Sequence, residues 1–243
     1  MTSIESQYVN LKVSDGTEMR AYSARPSPAG RYPGLMVFQE AFGVNAHIRD
    51  LTGRFAREGY VAMAPELFHR TESGFEGRYD DFPSAKRLIQ KLTNEGLEAD
   101  VRATYEALCA DSIVATGQIG CIGFCMGGRV SFLANAAVPV KAAVSFYGGG
   151  IAPNQTGPGL LSRAGELHAP ALLVWGLLDK HIGIDGPRTV ADALRGAGKR
   201  FVNVEFSDGD HGFFCDGRPS YNAAASGQAW ALSLQFLKTY LGA

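Results

Sequence analysis

Short apolar runs alternate with helical stretches along most of the chain, and this pattern most restricts its fold. The runs are rich in Val, Leu and Ala, and the stretches between them have helical periodicity. Such runs are typical of buried parallel strands with helices on both faces, so we predict an α/β fold in one domain, 1–243. The runs span 33–43, 60–67, 118–124, 140–150, 169–179 and 200–208, and the helical stretches 48–59, 84–110, 186–198 and 221–241.

Two further segments complete the expected organisation. Residues 8–13 and 17–26 alternate in polarity around Asp15-Gly16, which predicts a hairpin of half-exposed strands. Residues 68–83 are polar and contain Gly74, Gly77 and Pro83, so we predict a long loop that shapes a binding site. The helical stretch after it has a predicted break near Gly96.

Composition excludes several classes of protein. Apolar residues make up 46% of the chain and charged residues 19%, which favours a large core over disorder. A formal net charge of -1 offers no basic field for nucleic acid. No apolar run reaches membrane-spanning length, and the N-terminus has no secretory leader pattern, so we expect a cytoplasmic protein with four free cysteines. The sequence leaves open whether it is a monomer or a dimer.

Polar residues follow the predicted strands where each one ends. Because the carboxyl ends of parallel strands meet at one sheet edge, we expect these residues to lie close together. The set includes acids, a thiol and an imidazole. Its members are Glu40, Pro65-Glu66, Cys125, Tyr147, Asp179 and His211.

The stretch Gly-Phe-Cys-Met-Gly, residues 123–127, has the spacing of a nucleophile elbow with cysteine in the serine position. Glycines on either side allow a strand and a helix to approach a strained turn. The helix that follows would favour a thiolate at Cys125, and the Met126 N–H would be ready to bind an oxyanion. An inert core thiol in an ordinary turn is the alternative interpretation.

A base and an acid for Cys125 are expected later in the chain, in the order nucleophile, acid, base. Of the five histidines, His211 comes last and follows the last predicted strand. Asp179 follows the strand before it and is our candidate to orient the imidazole. Asp185 and Asp208 are the alternatives.

A metal site formed by Cys121, Cys125, His211 and Cys215 is the competing interpretation of the cysteines. Their spacings are looser than those of typical zinc sites, and Cys121 lies inside a predicted strand. We therefore expect neither a metal nor an organic cofactor.

Five motifs in order give the chain a resemblance to the dienelactone hydrolase (carboxymethylenebutenolidase) family of the α/β-hydrolase fold. They are FQEAFGVN, GFCMGG, FYGGGI, GLLDKHI and DHGFFCDGRPSYN. The resemblance implies a catalytic triad of Cys125, Asp179 and His211. It also implies an oxyanion hole formed by the backbone N–H groups of Ala41 and Met126.

The same resemblance implies roles at the substrate end. Glu40 matches a carboxylate that neighbours the cysteine in the resting state and helps to generate the thiolate, and Tyr147 matches a pocket tyrosine. The family binds a lactone carboxylate with two arginines, for which Arg78 or Arg70 and Arg218 are the candidates. One family arginine lies four residues after the histidine, where this chain has Cys215.

These observations predict a cofactor-independent hydrolase that cleaves an ester or enol-lactone through a Cys125 thioester. A thiolate is itself easily expelled from a tetrahedral intermediate, so substrates with good leaving groups are favoured. The alternatives are a general carboxylesterase or thioesterase on the same triad, a redox-sensing thiol protein, and a relative that only binds a ligand.

Overall fold

Eight strands form one sheet in the computed structural model, which describes residues 2–154 and 157–242. Their order across the sheet is β1-β2-β4-β3-β5-β6-β7-β8. The strands are β1 Ile4–Lys12, β2 Glu18–Pro26, β3 Tyr32–Phe38, β4 Val61–Pro65, β5 Val114–Phe124, β6 Ala143–Phe146, β7 Ala171–Gly176 and β8 Phe201–Phe206.

Strands β3 to β8 run parallel, whereas the β1–β2 hairpin joins the sheet antiparallel to β4. The register brings the strand ends level, since Phe124 of β5 pairs with Phe146 of β6 and Phe146 pairs with Val174 of β7. The carboxyl ends of the parallel strands therefore share one edge. The predicted hairpin and all six predicted strands are present, but β8 lies at the sheet edge and its residues are half-buried or exposed, so its predicted burial was wrong.

Helices cover both faces of the sheet. One core packs side chains of α1 and α7 against the sheet, and the other packs side chains of α4, α5 and α6 against the opposite face. Among the described residues, no helix combines the length and hydrophobicity that a membrane span requires. The helices are α1 Ala46–Arg57, α2 His69–Glu72, α3 Phe82–Ile89, α4 Asn94–Ala110, α5 Met126–Ala137, α6 Asp185–Gly196 and α7 Ala223–Leu241.

The structure differs from expectation between β4 and β5. The segment predicted as a loop, 68–83, contains α2 and the start of α3, where Asp81 caps the helix and Pro83 occupies its first turn. The helix break lies before Asn94, not near Gly96. The Thr93 side chain accepts a hydrogen bond from the Gly96 N–H, so that glycine belongs to the first turn of α4.

Candidate active site

Cys125 occupies the turn between β5 and α5 in a strained conformation, with φ 55° and ψ -118°. This positive φ is uncommon outside glycine and typical of functional turns. The flanking glycines are required because any side chain at these positions would clash with the backbone. A Cβ on Gly123 would lie 1.9 Å from the Gly127 carbonyl oxygen, and one on Gly127 would lie 2.2 Å from the Phe38 oxygen. The predicted elbow is therefore present.

His211 and Asp179 lie in line with Cys125. His211 Nε2 is 3.0 Å from Cys125 Sγ, and its Nδ1 is 2.7 Å from Asp179 Oδ2. The other carboxylate oxygen of Asp179 accepts the backbone N–H groups of His181 at 2.8 Å and Ile182 at 3.1 Å. The aspartate is thus fixed, and it fixes the imidazole.

His211 and Asp179 each stabilise the charged form of the other. Burial disfavours a charged His211, but the Cys125 sulfur and the Asp179 carboxylate outweigh burial and raise the pKa of His211 to about 10. Burial would also raise the pKa of Asp179, yet the hydrogen bonds from His211 and from backbone N–H groups hold it below its usual value. These shifts favour a protonated imidazole beside the Asp179 carboxylate.

The alternative acids lie elsewhere. Asp208 accepts a hydrogen bond from the Asn222 side chain, and Asp185 lies in the first turn of α6. Neither contributes a hydrogen bond to His211 among the contacts of the described residues, whereas Asp179 does.

Tyr147 forms a wall of the site. It follows β6 with φ 36°, it is fully buried, and its ring centroid lies 5.2 Å from that of His211. Burial and the nearby Glu40 charge raise the pKa of Tyr147 well above its usual value, so its hydroxyl is a hydrogen-bond donor. It donates to Glu40 Oε1 over 3.5 Å.

Glu40 and Arg218 form an ion pair beside this wall. Arg218 Nη1 is 3.3 Å from Glu40 Oε1, and the guanidinium lies 5.7 Å from the centre of the Phe42 ring. Gly212 makes room for the arginine, because a Cβ there would lie 2.2 Å from Arg218 Nη1. In this conformation Glu40 binds Arg218 and Tyr147, and Cys125 binds His211.

The two predicted oxyanion donors lie close to the elbow. Met126 is the first residue of α5, where backbone N–H groups have no acceptor within the helix. Ala41 is buried just beyond the end of β3, and the carbonyl oxygens of Phe38, the last residue of β3, and of Gln39 abut Gly127. Backbone from β3 and from α5 therefore meets beside the cysteine.

Two predicted arginines do not belong to this group. The Arg78 side chain is 80% exposed and pairs with its neighbour Asp80. Arg70 forms a two-pronged ion pair with the buried Asp100 and also binds Asp15. Each is held by a local carboxylate in this structure, which the sequence could not reveal, so a role for either one in substrate binding stays a prediction.

The remaining cysteines are engaged elsewhere or exposed. Cys121 Sγ lies 3.3 Å from Ser131 Oγ inside the core, and burial raises its pKa to about 12. Cys215 is buried and donates to the Tyr79 hydroxyl over 3.1 Å. Cys109 is exposed on α4. The four-residue metal site weighed from the sequence is absent from the described part of the chain, where a different cluster brings Cys215 together with His47.

Sequence analysis considered His181 among the five histidines and gave it no role in the site. It follows Asp179 by two residues, and its ring packs edge-on against His211 at 5.4 Å between centroids. The spacing Asp-x-His was visible, but the direction of its ring depends on the turn after β7, in which the Asp179 carboxylate accepts the His181 N–H.

The fold and the comparison with known proteins identify the family of this chain. An eight-stranded, mainly parallel sheet with an elbow at the end of β5 defines a hydrolase of the α/β-hydrolase fold. The sequence profile of the dienelactone hydrolase family matches residues 19–241. The chain belongs to the dienelactone hydrolase family.

Relatives support this assignment across nearly the whole chain. A candidate carboxymethylenebutenolidase from Synechocystis is 35% identical over 229 residues, covering 92% of this chain and 93% of the relative. One from Escherichia coli K12 is 36% identical over 241 residues, covering 94% and 85%. The crystal structure of a candidate dienelactone hydrolase from Klebsiella pneumoniae matches with a TM-score of 0.88 at 33% identity, covering 98% of this chain and 100% of that one.

Proposed function

We propose that the protein hydrolyses a small carboxylic ester or enol-lactone, with Cys125 as the nucleophile. The observation that carries the proposal is the line of contacts from Cys125 Sγ through His211 to Asp179, at 3.0 Å and 2.7 Å. This line lies at the edge where the parallel strands end, and the strained turn presents the sulfur there. A buried structural thiol would need neither the strain nor the aligned imidazole.

In the first step, the Cys125 thiolate attacks the carbonyl carbon of the substrate, and the carbonyl oxygen becomes an oxyanion. The N–H groups of Ala41 and Met126 bind that oxygen, because both residues lie beside the elbow. The bond to the alkoxide or enolate then breaks, and His211 gives its proton to the departing oxygen. The acyl group remains on Cys125 as a thioester.

In the second step, neutral His211 takes a proton from water, and the hydroxide attacks the thioester. The tetrahedral intermediate collapses with release of the carboxylic acid, and the sulfur leaves as a thiolate. Asp179 stabilises the imidazolium that is present before the first step and forms again in the second, and it holds the Nδ1 proton in place.

A thiolate nucleophile also restricts the substrate. The first intermediate collapses toward whichever group leaves more easily, and a thiolate leaves more easily than an ordinary alkoxide. An enolate or another activated oxygen competes successfully. We therefore propose enol-lactones and activated esters in preference to simple alkyl esters.

Arg218 is the proposed recognition group for a substrate carboxylate. Relatives of this chain are named for a carboxymethylene-substituted butenolide. The Arg218 guanidinium is mostly buried beside Glu40, so its charge is poorly screened by water. An anionic substrate would share the guanidinium with Glu40, and this would release the Glu40 carboxylate toward the reacting sulfur.

The test is a paired hydrolysis assay on a carboxylated dienelactone and a neutral p-nitrophenyl ester. It compares the unmodified chain, Cys125→Ala and the control Cys109→Ala, which removes an exposed thiol on α4. We expect turnover of the dienelactone to be far higher than that of the neutral ester, and to be lost in Cys125→Ala but kept in Cys109→Ala. Turnover of only the neutral ester would indicate a general carboxylesterase, and activity of Cys125→Ala equal to the unmodified chain would refute the proposed nucleophile.

A redox role for Cys125 is less favoured by the same contacts. The resolving candidates Cys121 and Cys215 are buried, and each thiol is hydrogen bonded to a hydroxyl. Mass spectrometry after mild peroxide treatment checks this alternative, since a reversible disulfide at Cys125 would be required.

A further inference from the structure

A second group of reactive side chains lies outside the Cys125 site. It consists of His47 in the first turn of α1, with Cys215 and Asp216 in the loop that follows His211. One ring nitrogen, the Sγ atom and one carboxylate oxygen of these residues all lie within 4.8 Å of one another. This separation allows one small ion to contact all three.

The His47 imidazole is buried without the hydrogen bonds that such a ring should have. Its side chain is only 5% exposed, and neither ring nitrogen has a hydrogen-bond partner within residues 2–154 and 157–242. The nearest carboxylate oxygen, Asp216 Oδ1, is 3.4 Å from Nδ1, without hydrogen-bond geometry. A buried polar group without a partner costs free energy, so the arrangement indicates that another atom completes it.

The donor atoms indicate the kind of ion. Imidazole nitrogen, thiolate sulfur and carboxylate oxygen together suit Zn²⁺ and its neighbours among the transition metals, whereas Mg²⁺ and Ca²⁺ prefer oxygen alone. A surface cavity of about 480 Å³ borders His47 and Asp216 and is also lined by Asp50 and Glu76. Asp50 and Glu76 are paired with Arg54 and Arg49, and the cavity opens to the surface with a volume that leaves room for a water ligand.

The surrounding contacts already orient two of the ligands. Arg54 Nη2 binds Asp216 Oδ2 at 3.1 Å, which leaves Oδ1 facing His47. Asn45 donates to the Tyr79 hydroxyl at 3.1 Å, and Cys215 Sγ donates to the same oxygen. If the Cys215 proton leaves to solvent, the Tyr79 O–H can turn and donate to the sulfur. Such outer contacts are typical of metal sites.

We propose that His47, Cys215 and Asp216 bind one divalent transition-metal ion of the zinc class. The ion forms a bond to Cys215 Sγ as the thiol proton passes to solvent, and it binds neutral His47 and Asp216 without a change of oxidation state. It thereby ties the start of α1 to the loop that carries His211. Its role is structural, since the Cys125 line does not include it.

Cobalt(II) titration of the full chain tests the proposal, because cobalt occupies zinc-type sites and reports its ligands by absorption. We expect one equivalent to bind, with a sulfur-to-metal charge-transfer band and the visible bands of tetrahedral cobalt. Zn²⁺ at about 100 times its Kd should raise Tm by about 5–10 °C. Absence of both effects at micromolar to millimolar metal would overturn the proposal.

Variants assign the binding to these residues. Cys215→Ser should abolish the charge-transfer band, His47→Gln should weaken binding at least about tenfold, and Cys109→Ser should leave the titration unchanged. Cys125→Ala should also leave it unchanged, and loss of binding there with retention in Cys215→Ser would place the metal at the Cys125–His211 pair and refute the proposal.

The half-exposed Asp216 gives a variant with little risk to folding. Asp216→Asn should weaken cobalt binding at least about tenfold while the circular dichroism spectrum stays unchanged. Undiminished affinity in this variant would contradict the proposal even if Cys215→Ser fails to fold.

Discussion

Arg218 Nη1 lies 3.3 Å from Glu40 Oε1. This ion pair joins the loop after His211 to the segment that follows β3. The Glu40 side chain is 1% exposed and the Arg218 side chain 18% exposed, so the two charges compensate each other out of water. The other carboxylate oxygen of Glu40 has no hydrogen-bond partner in residues 2–154 and 157–242. The arginine is therefore important for keeping a charged carboxylate in this position.

Removing that partner should destabilise the fold. We expect Arg218→Gln to lower the free energy of unfolding by about 3 kcal/mol, because it leaves Glu40 buried without a counterion. The double variant with Glu40→Gln should recover most of the loss. Urea unfolding of the three proteins checks this, and equal stabilities of the single and double variants would contradict the role of the ion pair.

Arg218 should also discriminate between substrates. Arg218→Lys keeps a positive charge beside Glu40 but loses the planar fork that binds two carboxylate oxygens. We expect kcat/KM for a carboxylated dienelactone to fall about tenfold or more, with little change for a neutral ester. Arg78→Lys is the control, since that side chain is exposed and paired with Asp80. Equal losses on both substrates would argue against carboxylate recognition.

Asp179→Asn should nearly abolish turnover without unfolding the chain. An amide can present an N–H toward His211 Nδ1 and favour the wrong tautomer, so kcat should fall about 10³-fold or more. Asp208→Asn and Asp185→Asn are the matched controls, with losses of less than about threefold expected. Unchanged steady-state turnover in Asp179→Asn would refute the assignment of the acid.

The His211 proton should make stability depend on pH on the alkaline side. The folded-state pKa of His211 is raised from 6.5 to about 10, so the folded chain holds a proton that the unfolded chain loses above 6.5. This stabilising contribution is complete below pH 6.5 and disappears as pH rises through 10. Urea unfolding between pH 6 and 10 should show a steeper decline for the unmodified chain than for His211→Gln. Parallel curves would show that His211 does not titrate in this way.

Substituting alanine for glycine should reduce stability at the elbow but not on the exposed face of α7. Gly123→Ala would place a Cβ 1.9 Å from the Gly127 oxygen, so we expect a loss of more than about 3 kcal/mol in unfolding free energy or failure to fold. Gly227→Ala, in an exposed part of α7 with no atom within 4 Å of the new Cβ, should be neutral or stabilising by up to about 1 kcal/mol. Thermal unfolding compares them, and similar Tm values would mean that the turn relaxes easily.

Local hydrophobic patterns predicted the fold well for the strands that are buried in the sheet. Apolar runs become strands where helices cover both faces, so β3 to β7 and the β1–β2 hairpin followed from the sequence, whereas β8 lies at the sheet edge and is not buried. Prediction failed at 68–83, where polar residues form α2 and begin α3. The position of α3 depends on the Asp81 cap, and that of such short helices depends on contacts at their ends. Hydrophobic periodicity does not reveal these contacts.

The sequence by itself determined the order of strands and helices, the Gly-Phe-Cys-Met-Gly turn and the chemical types that follow each strand, because these depend on neighbours along the chain. Only the tertiary structure decided which charged groups meet. Arg218 reaches Glu40 while Arg78 remains with Asp80, and His47 lies beside Cys215 across a long separation in sequence. The physical reason is that burial and side-chain direction set these pairs, and both depend on how distant elements pack.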